Sequence, residues 1–229
     1  PGTHAEHEEL VQIARAVGEE GALMQNVMNL GSDFEGEMAL VRKEAELARV
    51  LFSHGTGRSS TYGNKVEKLI MGMRDDGLDV SAIAIPRSSG FVTGLQAYFP
   101  WKGGAWAELS ELSFDDRVAA VNDPAFAARL VASAEEKGSI LPADLIFYLG
   151  DEDKPQYTGG PSESLLAMAS AAGEKPVEMF LRLSRETNGK ALFTLRFFNQ
   201  SMEALAEAIS SEFCLPSLGD AGAHVSQIM

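Results

Sequence analysis

The sequence has 229 residues, of which 45% are hydrophobic, and this is enough to bury the core of one sizeable domain. Its 19 basic and 33 acidic residues give a net charge of -14, so nucleic acids and anionic membranes are unexpected partners because both would repel it. It contains no apolar run of membrane-spanning length and no basic leader, and its one cysteine, Cys214, suits a reducing compartment. We therefore expect a soluble, cytoplasmic protein.

Helix and strand patterns alternate in the first part of the chain. Apolar residues at Leu10, Ile13 and Val17 mark one helix face, and Ser32 or Asp33 can cap the next helix. The helices are predicted over residues 6–17, about 33–49 and 61–76, and the strands over residues 22–28, 50–54 and 79–85. Each predicted strand therefore directly follows a helix.

The segment of residues 87–112 is rich in glycine and aromatic residues, and it is too long for an ordinary connector. This composition favours a functional loop or lid. Its aromatic side chains could line a hydrophobic acyl pocket, or they could pack against the helices of the same segment.

The rest of the chain returns to the alternating pattern. Further helices are predicted over residues 114–121, 124–136, 161–172, 176–186 and 201–210. Strands are predicted over residues 144–149 and 213–218, and residues 190–198 have β character without an assigned place in a sheet.

Repeated strand and helix units indicate an α/β fold with a parallel sheet, because each parallel connection must cross back over the sheet face. An open doubly wound sheet and a barrel both fit this pattern. No glycine-rich phosphate loop follows any strand, whereas polar residues gather after strand ends, as on the catalytic face of a barrel.

Two polar residues that follow predicted strands are the main candidates for chemistry. Asp220 comes after the strand at residues 213–218 and precedes Gly222, which suits a catalytic acid or metal ligand, although a turn or capping carboxylate would look the same. His54 ends the strand at residues 50–54, where it is either a metal ligand or a buried core histidine.

Other polar residues have weaker claims on the site. Arg87 could bind a substrate carboxylate with two hydrogen bonds or form a surface ion pair. His224 could contact the substrate, and it suits orientation of the Asp220 loop better than metal ligation. Asn199 could bond a backbone near the site or shape a turn, and we expect solvent-exposed side chains at His4 and His7.

Several short segments, taken in order, resemble the D-aminoacylase (N-acyl-D-amino-acid deacylase) branch of the amidohydrolase superfamily. The resemblance covers essentially the whole chain and includes Arg117-Val118 and Asp123-Pro124 between the main landmarks. Those landmarks are Pro1-Gly2-Thr3 before a helix with Glu9-Leu10, Leu51-Phe52-Ser53-His54, Ile85-Pro86-Arg87, Leu149-Gly150-Asp151, Phe198-Asn199 and Leu218-Gly219-Asp220-Ala221-Gly222-Ala223-His224.

The resemblance implies an interior piece of a metal-dependent (β/α)8 TIM-like barrel, about strands four to eight, in a single domain over residues 1–229. It implies that His54 binds a divalent metal ion, for which the family uses zinc, and that Asp220 both touches the ion and accepts a proton from the attacking water. The implied reaction hydrolyses the amide of an N-acyl D-amino acid to a carboxylate and an amine.

The chain also departs from the family pattern. The first-strand His-x-His pair of the family and its bridging ligand lie outside this sequence, and no histidine occurs near residues 79–86, where a further ligand is expected. Two recognisable ligands are too few for a zinc site, so we expect weak metal binding or none. The alternative is a catalytically silent half-barrel that associates through its open strand edges.

Overall fold

The computed structural model describes residues 5–27, 33–56, 60–151, 155–217 and 227–228. The sequence predicts a single domain over residues 1–229, and the chain forms two compact units. Unit 1 comprises Pro1–Ser88 and Phe198–Gly219, and unit 2 comprises Ser89–Phe197 and Asp220–Met229. Within the described ranges, no helix combines the length and apolar character that crossing a bilayer requires.

Unit 1 is a parallel sheet with helices between its strands, as the sequence predicted. Its elements are α1 (His7–Glu19), β1 (Leu23–Val27), α2 (Phe34–Ala45), β2 (Arg49–Ser53), α3 (Ser60–Asp75), β3 (Val80–Ala84), α9 (Met202–Ile209) and β7 (Cys214–Pro216). The strand order is β1-β2-β3-β7, and every neighbouring pair is parallel. The chain therefore leaves this sheet after β3 and returns to it with β7, which pairs with β3.

The two faces of this sheet differ in burial. One row across the strands, Asn26, Phe52, Ala82 and Cys214, lies on the face that packs against the helices. The next row, Val27, Ser53, Ile83 and Leu215, lies on the opposite face, where Val27 is 85% exposed. The helix-facing core includes Met38, Val41, Val66, Ile70, Leu205 and Phe213. Leu69 of α3 lies outside this core and is 37% exposed.

Unit 2 contains a second sheet, and here the prediction of one parallel sheet is wrong. Its elements are β4 (Ser89–Gly94), α4 (Ala105–Ser110), α5 (Phe114–Asn122), α6 (Pro124–Lys137), β5 (Ile146–Gly150), α7 (Leu165–Ala172), α8 (Pro176–Glu186), β6 (Leu192–Phe198) and β8 (Gln227–Ile228). The strand order is β5-β6-β4-β8, and the β5–β6 and β4–β8 pairs are antiparallel. The pairing runs between distant segments, which strand periodicity alone does not specify.

The aromatic segment of residues 87–112 is more regular than a lid. It contains β4 and α4, and its side chains Phe99, Trp101 and Trp106 are buried in the core of unit 2. The prediction of packing against the helices of the segment is confirmed for Phe99 and Trp101, whose rings contact Trp106 of α4.

Local signals set most helix starts. The side chain of Asp33 accepts a hydrogen bond from the Gly36 amide at 3.1 Å and caps α2, and Asp123 caps α6 through the Phe126 amide at 2.7 Å. Pro124 and Pro176 occupy the first turns of α6 and α8, where the missing N–H costs nothing. Of these, the Asp33 cap is one of the two alternatives that the sequence indicated for α2.

Candidate functional site

The carboxyl ends of β2, β3 and β7 lie at one edge of the sheet of unit 1, because these strands are parallel and adjacent. His54 follows β2 and donates its backbone N–H to the Ile83 carbonyl at 2.8 Å. Ser217 follows β7 and donates its backbone N–H to the Ala84 carbonyl at 2.9 Å. This edge is where parallel α/β folds place their functional loops.

His54 is 4% exposed and lies on the helix-facing side of the sheet. Its ring centroid is 6.5 Å from that of Phe52 and 6.2 Å from that of Phe213. Burial lowers the pKa of His54 to about 4, since a charged imidazole would lose its hydration there. The ring is therefore neutral at pH 7, as metal ligation requires, in surroundings that also suit the core histidine of the alternative reading.

Asn199 links the loops that follow β2 and β3. The side chain is 1% exposed, and its oxygen accepts hydrogen bonds from the Thr56 amide at 2.9 Å and the Thr56 hydroxyl at 3.4 Å. Its amide nitrogen donates to the carbonyl oxygens of Ile85 at 2.9 Å and Arg87 at 3.1 Å. Only a side chain with both donors and an acceptor can make this set, so the backbone-bonding alternative for Asn199 is confirmed.

Asn199 also has an unusual backbone conformation. Its φ is +52°, in the left-handed region that asparagine tolerates better than most residues, and its backbone N–H donates to the Thr56 carbonyl at 3.2 Å. The backbone and the side chain of Asn199 therefore both bond to Thr56, in the loop that follows His54.

The other candidate residues are less constrained or fall outside the described part. Arg87 is exposed just beyond β3, and its guanidinium forms no ion pair with any described residue. His7 is exposed at the start of α1, as expected. Asp220, His224 and His4 lie outside the described residues, so their roles stay predictions.

The described side chains alone do not fit a zinc ion. Among residues 5–27, 33–56, 60–151, 155–217 and 227–228, no three His, Cys, Asp or Glu side chains gather where they could hold a metal. His54 supplies one suitable donor, whereas zinc sites use three or four protein ligands. A complete site therefore needs Asp220 and further ligands.

Sequence reasoning missed a buried carboxyl in unit 1. Glu44 of α2 is 0% exposed, and its Oε2 accepts a hydrogen bond from the Asn26 side chain at 2.6 Å. Its Oε1 is buried without a hydrogen-bond partner among the residues described. Burial raises the pKa of Glu44 to about 7, against the opposing effect of the Asn26 hydrogen bond.

The position of Glu44 did contain a signal. It follows Val41 by three residues, so both lie on the inward face of α2. The four buried neighbours on that helix show that the apolar stripe continues through a charged residue: Met38, Leu40, Val41 and Ala45.

Cys214 is not a candidate nucleophile. The thiol lies in β7 on the helix-facing side and is 4% exposed. Burial raises the pKa of Cys214 to about 11, so the reactive thiolate is scarce at neutral pH.

A comparison with protein-family models and with curated protein sequences finds no match. Among solved structures, the chain is similar to N-acyl-D-glutamate deacylase from Bordetella bronchiseptica, determined with zinc and a phosphonate inhibitor, at 15% identity and a TM-score of 0.47 over 94% of this chain. It is also similar to a D-aminoacylase described as defining a subset of amidohydrolases, at 13% identity and a TM-score of 0.40 over 93% of this chain. The matches span 36% and 35% of those two chains, so this chain spans about a third of their length.

Proposed function

We propose that this chain is part of a metal-dependent amidohydrolase that cleaves the amide of N-acyl amino acids, with the D-enantiomer as substrate. One observation carries the proposal: His54 and the segment that leads to Asp220 leave the same edge of one parallel sheet. The ordered sequence motifs, from Leu51-Phe52-Ser53-His54 to Leu218-Gly219-Asp220, support the same reaction.

The strand spacing allows the two side chains to share an ion. β3 separates β2 from β7, so the backbones of β2 and β7 are about 10 Å apart. Asp220 follows the hydrogen-bonded Ser217 by three residues, which gives the chain enough length to bring a carboxylate towards His54. Because the His54 ring lies on the helix-facing side, the proposal requires Asp220 to approach from that side.

The residues of this chain would divide the work by their chemistry. Neutral His54 offers a nitrogen lone pair to the metal, and the carboxylate of Asp220 takes the proton from the attacking water. A bound zinc ion would polarise the amide carbonyl and lower the pKa of a water molecule. The exposed guanidinium of Arg87, at the same sheet edge, suits the substrate carboxylate, and His224 is the further candidate for contacting the substrate.

The fold that the proposal implies is a partial (β/α)8 barrel in unit 1. Four adjacent parallel strands with helical connections are what a segment of such a barrel contains. Because β7 pairs directly with β3, unit 2 would be an insertion between two neighbouring barrel strands. A cytoplasmic location belongs to the same proposal and is supported by the single, buried cysteine.

The test is amine release from N-acetyl-D-amino acids by the full-length protein of which this chain would be a part, with added zinc and with the matching L-compounds as controls. We expect release from at least one D-compound, and we expect Asp220→Asn to abolish it without changing the circular dichroism spectrum. If the full-length wild-type protein releases no amine from any of these compounds, the proposed reaction is wrong.

The second candidate function is association without catalysis, and the exposure of β1 favours it. β1 is an outer strand of its sheet, with Val27 85% exposed and Leu23 49% exposed on the same face. An open strand edge with exposed apolar side chains can pair with a second copy. Light scattering after size-exclusion chromatography would show a dimer that Val27→Lys converts to a monomer, and a wild-type monomer at all concentrations would reject this candidate.

A further inference from the structure

Unit 2 contains an open cavity of about 800 Å³ that the proposed reaction does not use. Aromatic side chains from α4 and from the segment between β4 and α4 form much of its wall, namely Tyr98, Phe99, Trp101 and Trp106. Small-molecule sites commonly have volumes of roughly 300–1,000 Å³ and walls of this kind. The cavity is therefore within the size range of small-molecule binding sites.

The wall is held in place by contacts within unit 2. The ring centroids of Trp101 and Trp106 are 4.8 Å apart, and those of Phe99 and Trp106 are 5.4 Å apart. The indole N–H of Trp106 donates to the Leu130 carbonyl at 3.0 Å. A ligand would thus enter a site that needs little rearrangement, which reduces the entropic cost of binding.

Arg117 lines the cavity, and three of the five N–H donors of its guanidinium bond to the protein. Its guanidinium donates to the carbonyl oxygens of Leu95 at 3.0 Å, Leu109 at 3.2 Å and Ser110 at 2.6 Å, and it lies over the Phe99 ring at 5.3 Å. Arg117 therefore stabilises the wall and adds positive charge beside it.

Lys102 is the second cation at the cavity, and it has a different role. The residue is exposed, and its ammonium group forms no hydrogen bond or ion pair with the residues that the structure describes. No described residue that lines the cavity is acidic, although the chain as a whole carries a net charge of -14. The cavity thus combines an aromatic wall with a local excess of positive charge.

We propose that this cavity binds an apolar monocarboxylate, with an aromatic or acyl body against the aromatic wall and the carboxylate beside Lys102. Exposed Tyr98, with 63% of its surface accessible, stands where it can cover the body of the ligand. The inference depends on unit 2 alone and does not require the proposed hydrolysis.

Two small molecules that differ in one group provide the test. 4-Phenylbutyrate carries the carboxylate, and 4-phenyl-1-butanol has the same ring and chain length without charge. The two tryptophans of the chain, Trp101 and Trp106, both line the cavity, so tryptophan fluorescence reports directly on its occupancy. We expect a saturable fluorescence change with 4-phenylbutyrate, and its absence would overturn the proposal.

A lysine variant tests the charge. Lys102→Met should weaken binding of 4-phenylbutyrate about threefold to fivefold, as expected for a partly exposed ion pair, and leave binding of the alcohol unchanged. Lys190→Met is the matched control, since Lys190 is also exposed in unit 2 but does not line the cavity. Equal weakening by both variants, or no weakening by either, would contradict the role of Lys102.

An alanine variant tests the location. Ala107 is exposed on α4 and lines the cavity, whereas Ala119 is exposed on α5 away from it. Ala107→Phe should abolish binding of both compounds by filling the cavity, and Ala119→Phe should change neither. Unaltered binding by Ala107→Phe would show that the ligand binds elsewhere and overturn the proposal. All of these measurements are made without zinc and without turnover, so they stand or fall separately from the proposed reaction.

Discussion

The two units bury different kinds of polar groups. In unit 1 the buried polar residues are Glu44, His54, Thr56 and Asn199, whereas in unit 2 they are Thr93, Ser164, Ser184 and Thr194. In unit 2 the buried hydroxyl groups of Ser164 and Ser184 donate to nearby backbone carbonyls, those of Pro161 at 2.9 Å and Phe180 at 2.8 Å. A carboxyl, an imidazole and an amide instead need partners from other elements, so among the described residues the buried groups suited to chemistry are in unit 1.

The apolar cores of the two units also differ in the type of side chain that they contain. The core of unit 2 contains a cluster of rings in which Phe180 stacks on Phe193 at 4.8 Å and meets Trp101 and Trp106 edge-on at 5.3 Å and 5.9 Å. The core of unit 1 is mostly aliphatic, with its aromatic side chains distributed among helices and strands. We infer that aromatic packing contributes most of the stability of unit 2. In unit 1, buried hydrogen bonds add to the stability that aliphatic packing provides.

The largest expected effect tests the aromatic half of this comparison. Trp106→Ala should lower the free energy of unfolding by about 4 kcal/mol, because it removes a fully buried ring and leaves a cavity. Urea unfolding followed by the fluorescence of Trp101 would measure it in unit 2. Tyr98→Ala, a change of an exposed ring in the same segment, should cost less than about 0.5 kcal/mol, and equal losses would contradict the comparison.

The next effect tests the hydrogen bonds of unit 1. Asn199→Leu should lower the free energy of unfolding by about 3 kcal/mol, because the Thr56 amide and the carbonyls of Ile85 and Arg87 lose their partner. Urea unfolding followed by circular dichroism measures the loss.

Asn188→Leu is the matched control for that variant. Asn188 also has a positive φ, +50°, but its side chain is exposed in unit 2. Asn188→Leu therefore includes the backbone strain without the lost hydrogen bonds, and we expect about 1 kcal/mol. If both variants cost the same, backbone strain rather than the amide explains the importance of Asn199.

The smallest expected effect depends on pH. Folding raises the pKa of Glu44 from an ordinary 4.5 to about 7, so the uncharged form stabilises unit 1. This contribution is fully present below pH 4.5 and is lost as the pH rises through about 7. The free energy of unfolding of Glu44→Gln minus that of the wild type should therefore rise by about 2 kcal/mol from pH 5 to pH 8.

Thermal or urea unfolding at both pH values measures the free energy of unfolding of each protein. Subtracting the wild-type value from that of Glu44→Gln removes the contributions of the other titrating groups, which the two proteins share. Glu46→Gln, at an exposed position beside the same helix, is the control and should show no such change with pH. A flat difference for Glu44→Gln would mean that the carboxyl is not held in its uncharged form.

The sequence predicted unit 1 better than unit 2 for a physical reason. Each strand of unit 1 follows a helix and pairs in parallel, so local periodicity at residues 22–28, 50–54 and 79–85 was enough to locate β1, β2 and β3. In unit 2, β5 pairs with β6, which lies more than 40 residues later, and no local pattern encodes that partner or its antiparallel direction.

The candidate site was predicted in part for similar reasons. A polar residue directly after an apolar strand is visible in the sequence, and His54 is at the sheet edge where this signal placed it. The burial of Glu44 and the four side-chain bonds of Asn199 depend on contacts between distant segments, so the sequence could suggest the residue but not its partners.

The central claim is that His54 and Asp220 share one metal ion, and cobalt binding tests it most directly. Co²⁺ reports its ligands through visible absorption, and it can be titrated into the wild type, His54→Gln, Asp220→Asn and the double variant. We predict weak binding by the wild type, a loss of at least about tenfold in each single variant, and no further loss in the double variant, because one site needs both ligands. Independent, additive losses, or wild-type affinity in Asp220→Asn, would contradict the claim.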